Sequence, residues 1–171
     1  MIKEVIVAKS IEITKFRQMY DFIVFLLTKS CHEISKNRIT KELRNYVITG
    51  ICNCISDEND KCYGTCCGSF YLSSMSNEDG IFPADDYFLF SSNIGIFIFH
   101  TDEKGHLKEC EFFYETEFFP EFYLDILKSF KTETEFDSFM RFLKVNNVKL
   151  RTLSELKEIF RYDKLNIIEV E

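Results

Sequence analysis

Apolar side chains recur along this chain at two spacings, and the spacing divides it into segments. Phe16, Met19, Tyr20, Ile23, Leu26 and Leu27 follow one another mostly three and four positions apart. That repeat places side chains on one face of a helix. They predict a helix over 14–30 with Thr14 as its N-cap. Thr40 opens a second predicted helix, over 40–54, with Leu43, Val47, Gly50, Ile51 and Cys54 on one face. The polar run that begins at Asn53 and continues through SDENDK closes it. Later, Pro120 stands before Phe122, Tyr123, Ile126, Leu127 and Phe130, as a proline opening a helix does. Thr132 to Glu135 and Thr152 to Glu155 both have capping-box spacing. The first predicts a helix with Phe136, Phe139, Met140 and Leu143 on its core face, stopped at Asn146-Asn147. The second predicts a helix through Leu156, Ile159 and Phe160.

Between these helices the pattern is that of strands. Ile2 to Ala8 and Leu165 to Val170 read as strands near the two ends, and Ser69 to Met75 as a short one within the chain. The stretch from Tyr87 to Phe119 holds two or three strands and the clearest turn. Asn93 to Thr101 is apolar at almost every position, which predicts a strand buried on both faces. Asp102 to Gly105 form the turn, where Gly105 can take a positive φ. Leu107 to Phe119 then alternates. Cys110, Phe112, Tyr114 and Phe118 share one face with Thr116. Glu109, Glu111, Glu115 and Glu117 share the other with Phe113. An odd hairpin loop would pair Ile94, Ile96 and Ile98 with the apolar face, away from the glutamates, and is the expected register. The predicted architecture is α+β: a mainly antiparallel sheet built around residues 69–119, with two helices before it and two or three after.

Composition adds bounds to that picture. At 171 residues, the whole of 1–171 reads as a single globular domain long enough for a sizeable core. With 19 Phe and no Trp, most aromatic area carries no polar group that needs a partner. The net charge of −7 argues against nucleic acid, whose phosphates require clustered lysine and arginine. The longest apolar run, Phe22 to Leu27, is far too short to span a membrane, and Lys3, Glu4, Lys9 and Glu12 break up any leader-like segment. The expected location is cytoplasmic, where the seven cysteines would be thiols or metal ligands rather than disulfides.

Two groups of residues are candidates for function. Glu109, Glu111, Glu115 and Glu117 place like charges along one strand face, which is stable only when water or a cationic partner screens them. Along one strand they stand too far apart to converge on a metal ion, so no metal is expected there. Cys52, Cys54, Cys62, Cys66 and Cys67 fall close together, but no CxxC pair is present and the spacing suits tetrahedral zinc poorly. A nucleophile at Cys66 or Cys67 would need a base such as His100 or His106 brought near by the fold. Those two histidines flank the turn and are expected to be exposed, and His32 follows the first helix, where it would cap the negative end. No HExxH, GxGxxG, P-loop or GxSxG pattern occurs. The expected function is that of a small acidic cytosolic protein, in the manner of an immunity or inhibitor protein, that docks a basic protein partner through the glutamate row. It would have no catalytic residue, no cofactor and no membrane or nucleic-acid partner. The alternative is a cysteine-centred enzyme or zinc protein using the Cys52–Cys67 region.

Overall fold

The computed structural model describes residues 9–31, 33–52, 66–67, 69–92, 95–114 and 118–162. The fold is α+β, as the pattern predicts. In chain order the elements are β1 (Ile11–Glu12), α1 (Arg17–Ser30), α2 (Lys36–Leu43), β2 (Tyr46–Ile51), β3 (Cys66–Cys67), β4 (Phe70–Ser74), β5 (Tyr87–Ser92), β6 (Gly95–Thr101), β7 (Leu107–Tyr114), β8 (Phe118–Pro120), α3 (Tyr123–Phe130), α4 (Glu133–Val145), β9 (Lys149–Arg151) and α5 (Leu153–Tyr162). The main sheet is antiparallel throughout and runs β1-β2-β4-β7-β6-β5, with β3 pairing the far end of β7. A separate parallel pair joins β8 to β9. No helix among the described residues is long and apolar enough to cross a membrane.

Several elements depart from the sequence pattern. The helix expected over 40–54 is a shorter helix capped by Ser35, whose Oγ accepts from the Arg38 amide, followed by β2. Tyr46-Val47-Ile48-Thr49 is aromatic and β-branched, which suits a pleated surface better than a helix. Tyr46, Ile48 and Ile51 are buried while Val47, Thr49 and Gly50 are half-buried. The sheet therefore reaches beyond 69–119 to include Ile11–Glu12 and Tyr46–Ile51. Thr14 lies in a short 3-10 turn, and α1 starts at Arg17 with no side-chain cap. Pro120 ends β8 instead of opening a helix. The expected strands at Ile2–Ala8 and Leu165–Val170 lie outside the described residues. The Thr132 capping box is present, with both of its reciprocal hydrogen bonds. At Thr152 the hydroxyl accepts from the Glu155 amide at 3.2 Å.

Phenylalanine builds the core. Phe97 of β6 and Phe112 of β7 are fully buried, with ring centroids 4.6 Å apart. Phe22 from α1 and Phe160 from α5 meet the Phe97 ring at 5.4 and 5.1 Å. Tyr123 from α3 packs on Phe70 and donates its hydroxyl to the Ser69 carbonyl. These contacts put α1, α3 and α5 on the same side of the sheet, against its phenylalanine face. Strand β6 is not buried on both faces as expected. Phe97 and Phe99 are buried, whereas Ile96 is 38% exposed and Ile98 and His100 are half-buried.

The hairpin between β6 and β7 has the expected odd loop: Thr101 pairs with Leu107. A β-bulge immediately beyond it reverses the consequence. His100 pairs with Glu109, Ile98 with Glu111 and Ile96 with Phe113, while Phe97 pairs with Phe112 and Phe99 with Cys110. The isoleucines thus share the glutamate face, contrary to the sequence expectation. Two phenylalanines bury more apolar area than two isoleucines, and the extra residue lets them take the core side.

Candidate functional site

The turn that carries this bulge is held from several directions. Asp102 Oδ1 accepts from the amides of Lys104 at 2.8 Å and His106 at 3.0 Å. Burial works against that carboxylate, but these two amides and the nearby His106 and Lys104 charges hold its pKa below the ordinary value. Gly105 sits at φ +78°, and a Cβ there would lie 2.3 Å from the Phe82 carbonyl oxygen, so the position requires glycine. The Thr101 hydroxyl donates to the Pro83 carbonyl and accepts from the Asp86 amide, tying the hairpin to the segment before β5.

On the outer face of β6 and β7, this register brings His100, Glu109 and Glu111 together. One ligand atom from each lies within 4.8 Å of the others, and all three residues are half-buried. His100 Nε2 is 3.3 Å from Glu111 Oε1. That distance is within ion-pair range but the geometry is not that of a hydrogen bond, and the nitrogen is buried with no hydrogen-bond partner among the described residues. Partial burial pushes the Glu109 carboxyl above the ordinary glutamate range, and the Glu111 carboxylate pushes it further, while His100 pulls it back. Tyr87 of β5 meets the His100 ring at 6.3 Å. Tyr71 of β4 pairs with Glu109 and is 43% exposed. The cluster thus lies on a sheet face bordered by aromatic and aliphatic side chains.

Of the expected carboxylate row, Glu109 and Glu111 lie side by side on this face, and Glu115 and Glu117 lie outside the described residues. Spacing along one strand could not reveal that His100, from the neighbouring strand, completes the cluster. The bulge that puts it there leaves no mark in the alternation. His106, expected to be exposed, is buried. Its Nδ1 stands 3.7 Å from Asp102 Oδ2 and its ring is edge-on to Tyr46. His32, Cys54 and Cys62 lie outside the described residues. Cys66 and Cys67 pair in β3 with Tyr114 and Phe113, and Cys52 is half-buried just after β2. Cys31 and Cys110 are buried thiols, and burial raises the pKa of each.

No family model, no curated protein and no solved structure gives a significant match to this chain. Function must therefore be argued from the chemistry of the face itself.

Proposed function

We propose that this is a small acidic binding protein that docks a basic protein partner through the outer face of β7 and β6, in the manner of an immunity or inhibitor protein. The observation that carries the reading is the placement of Glu109 and Glu111, both half-buried, on one face of β7. Two carboxylates are held side by side, partly out of water, on one strand, and burial together with the Glu111 charge makes Glu109 harder to ionise. A lysine or arginine from a partner would relieve that repulsion on contact. Tyr71, Tyr87, Ile96 and Ile98 supply the aromatic and aliphatic border that protein interfaces favour around such anchors. The net charge of −7 would steer a basic partner over longer range.

A second reading rests on His100. An imidazole and two carboxylates within 4.8 Å are a donor set suited to a divalent first-row metal, with open positions left for water. One experiment separates the two readings. The partner is captured from the native host, and its association with the parent and with Glu109→Gln/Glu111→Gln is timed at low and high salt. Zinc binding to the parent and to His100→Gln is measured by calorimetry. Docking predicts an association rate lower by about tenfold in the double variant at low salt, a gap that closes at high salt, and no dependence on His100. Unchanged association at both salts would overturn docking. Stoichiometric zinc binding lost with His100→Gln would instead support the metal reading.

A further inference from the structure

A groove of about 580 Å³ lies on the helical side of the molecule, away from the glutamate face. Its volume is in the range that small-molecule sites occupy. Val24, Phe25 and Thr28 of α1 line it together with residues of α2 and α5. The helices around it are tied together. The Tyr20 hydroxyl donates to the Thr40 carbonyl at 2.8 Å, joining α1 to α2, and the Lys29 ammonium donates to the Phe160 carbonyl, joining α1 to α5.

The charge of this groove opposes that of the whole chain. Lys29, Lys36 and Lys157 line it, one from each helix, and Asp21 is the single carboxylate among the described lining residues. An excess of two positive charges is thus gathered in one concavity of a protein whose net charge is −7. Among the described residues, neither Lys36 nor Lys157 has an ion-pair partner within 4 Å. Lys29 and Lys157 both stand over the Phe25 ring, with ammonium to centroid distances of 4.6 and 5.8 Å. The ring face attracts both cations and holds like charges near each other. Lys36 occupies the first position of α2, where a cation opposes the helix dipole.

We propose that this groove binds a small phosphorylated molecule carrying two or more negative charges, held by Lys29, Lys36 and Lys157. Ammonium groups bind phosphate as point charges from several directions, which suits three lysines arriving from three helices. A single carboxylate would leave part of the excess charge unbalanced. The site is separate from the docking face and does not depend on it.

The test uses the intact protein and pyrophosphate as the probe, titrated by calorimetry at constant ionic strength, with sulfate titrated in parallel. Saturable one-site binding of pyrophosphate is expected, tighter than that of sulfate. Lys36→Gln/Lys157→Gln should weaken it on the order of tenfold or more. Lys104→Gln/Lys144→Gln makes the same change in net charge at exposed positions elsewhere and should leave affinity within about twofold. If the first double variant does not fold, Lys36→Gln alone, at an exposed position, carries the comparison. No saturable binding, equal affinity for sulfate, or equal weakening by the control pair would overturn the proposal.

Discussion

Phe112 shows how much one side chain can matter in this core. It is fully buried, and its ring meets those of Phe70, Phe97 and Phe99 at 5.5, 4.6 and 6.1 Å. Phe112→Ala should lower stability by about 3–5 kcal/mol, measured from urea midpoints, because the surrounding rings cannot collapse into the space. A loss under about 1 kcal/mol would contradict the assignment of this face to the core. Three residues earlier on β7, on the opposite face, Glu109 behaves in the reverse sense. Its pKa is raised in the folded state, so the folded chain holds that proton more tightly than the unfolded chain does. Stability from this group therefore falls as pH rises from the ordinary glutamate value through the raised one, and above that window its charge is a net cost. Glu109→Gln should accordingly be more stable than the parent near about pH 7 by up to about 1 kcal/mol. The gain should fade as pH drops below the window. Thermal unfolding at the two pH values checks both the sign and its disappearance, and a destabilised variant at neutral pH would mean that Glu109 has a cationic partner in the free protein.

At the scale of elements, the most legible features were those set by a few adjacent residues. The Thr132 box is one. Its hydroxyl accepts from the Glu135 amide at 3.2 Å, and the Glu135 carboxylate accepts from the Thr132 amide at 3.3 Å. Burial opposes the Glu135 charge, but these bonds and Lys131 hold its pKa below the ordinary value. The resulting stabilisation is present above the unfolded pKa and is lost as pH falls through the folded one. Thr132→Ala should cost about 0.5–2 kcal/mol near neutral pH and less in acid, as read by urea unfolding. An undiminished deficit in acid would show that the carboxylate takes no part in the cap. Strand β2 is the counter-example. Leu43, Val47, Ile51 and Cys54 fit a helical repeat, yet Tyr46 to Ile51 is extended. A six-residue apolar segment satisfies both periods nearly equally, and the sheet edge offered by β4 decided between them. The bulge beside Thr101 escaped the sequence for a related reason. Alternation is continuous on each strand, and only their pairing exposes the extra residue.

At the scale of the whole molecule, charge is unevenly arranged. An acidic cluster occupies one side of the sheet and a lysine-lined groove lies among helices on the other, within a chain of net charge −7. Composition reports only the sum, so it could point to the acidic face and could not point to the groove, whose lysines are separated by up to 128 positions. The sequence by itself determined the α+β class, the phenylalanine core, the helix caps at Thr132 and Thr152 and the side of β7 on which Glu109 and Glu111 lie. Each of these follows from periodicity or from contacts within a few residues. Only the tertiary structure decided that β2 is a strand, that His100 joins the two glutamates, that His106 is buried, and that three lysines converge. These depend on register and on helix placement, which are settled by competition for burial among segments distant in the chain, and a linear pattern does not encode the outcome of that competition.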